Sequence, residues 1–120
     1  MALSNKDQQI LEHIIKYCNQ IALTVQRLKI TQESLQKDFL HQNALTMPIL
    51  QIGELAKKLS PDFVIKYNAV PWQAIRGMRN RFAHVYEETN YTKVWYTAQN
   101  DIPFLSNYCT KIIQKNLSIC

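Results

Sequence analysis

Along the N-terminal quarter of the chain, apolar residues recur in steps of three and four. Leu11, Ile14, Cys18, Ile21, Val25 and Leu28 would share one side of a helix, because an α-helix returns to the same face every 3.6 residues. Ser4, with Asp7 three residues later, forms a capping-box signature ahead of that stripe, the hydroxyl and the carboxylate each taking a free amide of the first turn. Thr31 is placed to cap a second helix, whose stripe runs Leu35, Phe39, Leu45, Ile49, Ile52, Ala56 and Leu59. Pro48 falls inside it and predicts a kink, since proline lacks a donor and clashes one turn back.

Ser60-Pro61-Asp62 reads as an N-cap followed by proline at the first helical position. It opens a segment from Phe63 to Tyr67 with room for about two turns. Val70-Pro71-Trp72 restarts the chain, because the residue before proline is pushed out of the helical region. From Pro71 a third long helix presents Ile75, Met78, Phe82 and Val85, and Asn90 can cap a last one with the stripe Trp95, Ala98, Ile102, Leu105, Cys109 and Ile112. Pro103 would bend that helix. The predicted architecture is an all-α, up-and-down four-helix bundle with a short extra helix between the second and third long ones.

Composition supports this reading and narrows it. The chain has 120 residues, which predicts a single helical domain over 1–120. Two glycines and four prolines are too few for the frequent turns of an all-β fold. Fourteen Lys and Arg against nine Asp and Glu give a net charge of +5, which favours a polyanionic partner without demanding one. Cys18, Cys109 and Cys120 make no close pair, so neither a disulfide framework nor a Cys-x-x-Cys metal knuckle is expected, as suits a reducing cytoplasm. Lys6, Asp7, Glu12 and Lys16 interrupt the first apolar stretch, so it does not read as a signal peptide. No apolar run approaches the ~20 residues of a membrane helix, so no membrane association is expected.

The chemistry concentrates in one segment. From Arg76 to Glu88 the chain reads RGMRNRFAHVYEE, with Arg76, Arg79 and Arg81 accounting for three of its four arginines. Arg79, His84 and Tyr86 form the pattern R-x-x-x-x-H-x-Y. Residue type alone favours a solvated basic helix face carrying a histidine, as charge runs usually are solvated.

The ordered set of segments around it is more specific. Ile52-Gly53-Glu54, Val70-Pro71-Trp72, Gly77-Met78-Arg79-Asn80 through His84-Val85-Tyr86, and Val94-Trp95 with Asp101-Ile102-Pro103 together cover about residues 49–105. On these residues the chain resembles a HEPN domain of the HepT type, the ribonuclease toxin half of a two-gene toxin–antitoxin system. Val85 departs from the acidic residue or glycine more usual at that position, a change in packing beside His84 that removes no functional group.

The resemblance implies a metal-independent endoribonuclease with no cofactor, and the residue types suit that chemistry on their own terms. RNA carries its own nucleophile in the 2′-hydroxyl, so a minimal site needs a proton carrier and a stabiliser for the phosphorane. Histidine is the side chain whose ordinary pKa, ~6.5, lies closest to working pH. Arginine offers a permanent charge and a planar fork of donors to phosphate oxygens. Arg79 is therefore assigned to phosphate and transition-state binding and His84 to proton transfer. Asn80 is a candidate for orienting either the histidine or the scissile phosphate. Glu54 reads either as a support for Arg79 or as a plain surface acid, and Arg76 shares a face with Asn80 and His84 at steps of four. A metal nuclease would want converging carboxylates, and only Glu87-Glu88 are adjacent.

Five positions along an ideal helix amount to about 500°, which points Arg79 and His84 about 140° apart. Convergence on one phosphate then requires either a loosened helix or a second chain, and the expectation is a homodimer pairing both copies of this helix end. The resemblance further implies that Tyr86 accepts AMP from a cognate nucleotidyltransferase antitoxin of the MntA type, which would block the cleft that RNA needs. The competing class is a non-catalytic HEPN adaptor that only binds a nucleotidyltransferase or nucleic acid; a basic bundle that docks on another protein is a third. His13 and His41 have no second imidazole or thiol at ligand spacing, Cys18 and Cys109 read as core residues, and Trp72 and Trp95 as core anchors. Lys57-Lys58, Lys111 and Lys115 read as solvated, with steering of RNA as their alternative.

Overall fold

The computed structural model describes residues 3–78 and 91–117. Every regular element among them is helical, so the all-α expectation holds. They are α1 (Asn5–Leu28), α2 (Gln32–Lys37), α3 (Phe39–Ala56), α4 (Pro61–Lys66), α5 (Trp72–Arg76), α6 (Tyr91–Tyr96), a π-helical turn (Thr97–Asp101) and α7 (Ile102–Leu117).

Helix α1 forms where its apolar period predicts. Ile10, Leu11, Ile14, Cys18 and Ile21 are buried against α3 and α7. The stripe ends earlier than expected: Leu28 is 45% exposed, and Ile30, just past the helix, is buried in its stead. The chain turns there through Lys29, which adopts a left-handed φ of 54°. The N–H of Ile30 reaches the carbonyl of Val25 at 3.0 Å, and that of Lys29 reaches Gln26 at 3.3 Å. This Schellman closure satisfies carbonyls of the last turn and swings Ile30 onto the core.

The second predicted helix is two helices. Thr31 caps α2 as expected, its Oγ1 accepting from the Ser34 N–H at 3.0 Å while Ser34 Oγ accepts from the Thr31 N–H at 2.9 Å. The interruption comes at Asp38, in extended backbone (φ −103°, ψ 110°), which also caps α3 by accepting from the Leu40 N–H at 2.9 Å. Phe39, expected in the stripe, is consequently 66% exposed. Helix α3 runs on through Pro48, where a kink was expected, and buries Leu45, Ile49, Ile52 and Ala56 completely.

At Ser60 the sequence reading holds. Ser60 Oγ accepts from the Phe63 N–H at 3.3 Å and Pro61 opens α4. Trp72 is 2% exposed and donates its indole N–H to the Tyr67 carbonyl at 2.6 Å, a core anchor. The third long helix expected from Pro71 is interrupted early: α5 ends at Arg76, with Gly77 as its C-cap donating to the Gln73 carbonyl, a break made where glycine, a poor helix former, sits in the period. Ile75 is partly buried and Met78 buried; Phe82, Val85 and the Asn90 cap lie outside the described residues. In the last helical run Val94 is fully buried and Trp95 only partly so. Pro103 acts on the turn before it. The N–H of Ile102 reaches the carbonyl of Thr97, five residues back, and this widened turn makes room for a ring that would otherwise press on the carbonyl four residues earlier.

Three long helices meet at one end of the bundle. The Leu3 N–H donates to Asn116 Oδ1 at 3.2 Å, setting the start of α1 beside the end of α7. Asp7 makes the second tie, and here the capping-box expectation needs correction. Ser4 Oγ accepts from the Asp7 N–H at 3.1 Å as expected. The Asp7 carboxylate, however, turns away from the helix start. Its two oxygens accept from the Ser60 N–H at 3.0 Å and from Ser60 Oγ at 2.6 Å. Asp7 is only 3% exposed, so a partner that lies across the bundle saves it from being buried alone.

Two predictions follow from this packing. Asp7→Ala is expected to lower unfolding stability by about 2–3 kcal/mol, the scale of hydrogen bonds to a charged acceptor, measured by urea denaturation; a loss under ~0.5 kcal/mol would mean that the tie is idle. Burial pushes the thiols of Cys18 and Cys109 up to about 12 from an ordinary 9.0; a backbone hydrogen bond opposes this in part at Cys18, and the charge of Cys18 adds a lesser upward push at Cys109. Their protonated form is the folded one, so the stability they contribute is complete below pH 9 and is lost as pH rises toward 12. The thermal midpoint should therefore fall above pH 9, and fall less in Cys18→Ala/Cys109→Ala.

Candidate functional site

Arg79, Asn80, His84 and Tyr86 lie outside the described residues. The two residues that flank their segment, Met78 and Tyr91, are each 2% exposed. Met78 and Tyr91 thus belong to the packed core.

Arg76 and Glu54 are described. Arg76 sits at the end of α5, partly buried, and its Nε donates to the Ala56 carbonyl at 3.2 Å. That carbonyl belongs to the last turn of α3, where backbone acceptors lack intrahelical partners and the helix end carries partial negative charge. Arg76 thus clamps α5 to the end of α3. Glu54, in the last turn of α3, pairs with Lys57 at 3.3 Å. Both groups of that pair are about two-fifths exposed, so solvent leaves it a weak brace. The support of Arg79 by Glu54 involves a residue outside the described set.

The same end of the bundle carries a feature that sequence reading missed. A groove of about 690 Å³ runs between the start of α1 and the α3–α4 junction. Lys6 and His13 line it from α1, Lys57 and Lys58 from the end of α3, and Arg76 from α5. Its floor is apolar, with Ile10 and Leu59 both buried. No described acidic side chain lines it. The spacing of Lys6 and His13, seven residues apart, shows that they share a helix face; their meeting with Lys57 and Lys58 depends on the α1–α3 pairing and has no sequence signature. A second cavity of about 610 Å³, between Leu3, Asp7, Phe63 and Tyr67, contains none of the predicted site residues.

A Ser–His–Asp cluster also emerges. His41 Nδ1 lies 2.9 Å from Ser34 Oγ, and His41 Nε2 lies 3.5 Å from Asp38 Oδ2. The serine is poorly placed for nucleophilic work. Its Oγ already accepts from the Thr31 N–H and donates to the Thr31 carbonyl at 3.1 Å, so its single proton and one lone pair serve the helix cap, leaving the other lone pair to face His41. The cluster reads as a latch that joins α2 to α3 across the break at Asp38. Among the described residues no three His, Cys, Asp or Glu side chains gather as metal ligands, and no described helix is long and apolar enough to cross a membrane.

Comparison with known proteins agrees with the segment-by-segment resemblance. A protein of Caldanaerobacter subterraneus subsp. tengcongensis, named "Putative RNase", is 36% identical over 106 residues, covering 88% of this chain and 92% of its own. Two proteins of Methanocaldococcus jannaschii with the same descriptive name are 30% and 29% identical over 91 and 108 residues. These alignments cover 72% and 87% of this chain, and 78% and 84% of theirs. No solved structure matches. The family described as "Ribonuclease HepT-like" matches residues 8–112, a span that takes in α1 through most of α7 and the whole Arg79–Tyr86 segment. With an all-α fold and that match over most of its length, the chain belongs to the HepT-like ribonuclease family.

Proposed function

We propose that this ribonuclease-family chain is a metal-independent endoribonuclease toxin, active as a homodimer in the cytoplasm and held in check by a nucleotidyltransferase antitoxin. The observation that supports the reading is that Arg79, His84 and Tyr86, in the pattern R-x-x-x-x-H-x-Y, fall within the matched residues 8–112. In the proposed reaction the 2′-hydroxyl of the substrate attacks the adjacent phosphorus. A bond from that oxygen to phosphorus forms as the bond to the 5′-oxygen breaks, leaving a 2′,3′-cyclic phosphate and a 5′-hydroxyl end. His84 takes the proton from the nucleophile or gives one to the leaving oxygen, and two chains supply one imidazole for each task. Arg79 meets the charge that builds on the non-bridging oxygens. Asn80 orients the histidine or the phosphate, and Arg76 contributes through its clamp on α3.

Tyr86 supplies the control point. In the proposed modification its phenolic oxygen attacks the α-phosphorus of a nucleoside triphosphate bound to the antitoxin. The new ester bond forms as pyrophosphate leaves, and the phenolic proton passes to solvent. A phosphodiester two residues from His84 then competes with RNA for Arg79.

Purified protein is expected to cleave single-stranded RNA in excess EDTA. Arg79→Ala and His84→Ala should each slow cleavage by about 10²–10⁴-fold with unchanged circular dichroism. Loss of cleavage on chelation, restored by magnesium, would overturn the mechanism. For the control point, intact-mass measurement after co-expression with the neighbouring nucleotidyltransferase should show the gain of AMP, absent in Tyr86→Phe. Neutralisation of the Tyr86→Phe toxin by that antitoxin would remove the tyrosine from the scheme.

A further inference from the structure

We infer that the groove between α1 and the α3–α4 junction is a second, non-catalytic contact for single-stranded RNA, one that grips phosphates on the strand entering or leaving the cleavage site. This rests on the ribonuclease reading above for the identity of the polyanion.

Lys57 and Lys58 follow the last residue of α3, where the helix dipole is negative and a cation stabilises the helix. Helix stability alone can account for them. It cannot account for Lys6. That lysine occupies the first turn of α1, where the dipole is positive and a cation is unfavourable. The Asp7–Ser60 tie then holds this turn against the α3–α4 junction, so Lys6 faces Lys57 and Lys58 across one groove, with His13 one helical repeat further along. Convergent like charges oppose the packing that brings them together, and a local rule broken without structural gain marks a functional surface. Glu54 offsets Lys57 through an exposed pair.

Arg76 connects the groove to the chemistry. It lines the groove and precedes Arg79 by three residues, so the two Cα atoms lie within ~11 Å in any backbone conformation. A strand bound at Arg79 can therefore lay a neighbouring phosphate on the groove. The cationic groups there can pair with phosphate oxygens, and no described Phe, Tyr or Trp side chain lines the groove to stack a base. The contact should thus add affinity without base preference.

The test compares wild type with Lys6→Gln/Lys57→Gln/Lys58→Gln and with the Lys→Arg triple at the same positions. Binding is read by fluorescence anisotropy on a 2′-O-methyl oligonucleotide about 12 nucleotides long, which cannot be cleaved. The Gln triple should bind about tenfold or more weakly, with a slope of log K against log salt shallower by about 2, as expected for three lost phosphate contacts on a single strand. The Arg triple should bind as wild type does. Cleavage of a dinucleotide, too short to span both sites, should be equal in all three proteins. Unchanged affinity and salt slope in a folded Gln triple would overturn the inference even if wild type cleaves RNA. Failure of wild type to cleave any RNA would overturn the ribonuclease reading and leave the anisotropy result to decide the groove.

Discussion

The hydrogen bonds from Ser60 to the Asp7 carboxylate organise one end of this bundle. A carboxylate that is 3% exposed is tolerable only with its oxygens occupied. Ser60 occupies them with its amide and its hydroxyl while also capping α4. One serine therefore ends the α3–α4 connection, starts α4 and pins the first turn of α1. The neighbouring ties, Leu3 to Asn116 and Arg76 to Ala56, brace α7 and α5 to the same end. The two cationic stretches meet because this turn of α1 has no freedom to move away.

The helix ends at this pole carry opposed electrostatic demands. The C-terminal turn of α3 draws in Arg76, Lys57 and Lys58, each of which lessens its partial negative charge. The N-terminal turn of α1 would repel the same groups and yet contributes Lys6. In salt of physiological strength the repulsion between exposed cations is screened over about 8 Å, so the fold tolerates the arrangement at small cost. The resulting surface suits a polyanion whose charges arrive already spaced along a chain. It is less suited to a compact metal or metabolite site, which would ask for convergent buried donors.

Local chemistry explains why some elements could be read in advance. Ser60-Pro61 stops one helix and starts the next through dihedral restriction and a cap that need only neighbours in sequence. The same holds for Thr31 and for the apolar period of α1. The errors share a different cause. Asp7 satisfies the capping-box pattern, and its backbone behaves accordingly, but its carboxylate chooses a partner 53 residues away. Phe39 keeps the helical period of its stripe and is nonetheless exposed, because Asp38 caps a new helix and resets the phase. Pro103 was expected to bend its helix, and the strain is taken up by a π-helical turn.

For the candidate site, the sequence by itself determined the reactive residue types and their order: a permanent cation, an imidazole and a phenol at fixed spacing, in a chain whose apolar periods allow only helices. Side-chain chemistry and helical period are local properties, legible from one strand of text. Tertiary structure decided which distant charges share a surface. Lys6 and Lys57 become neighbours only because the first turn of α1 is fastened to the α3–α4 junction by a buried carboxylate. No local rule encodes that meeting, since its energy comes from desolvating groups that are far apart along the chain.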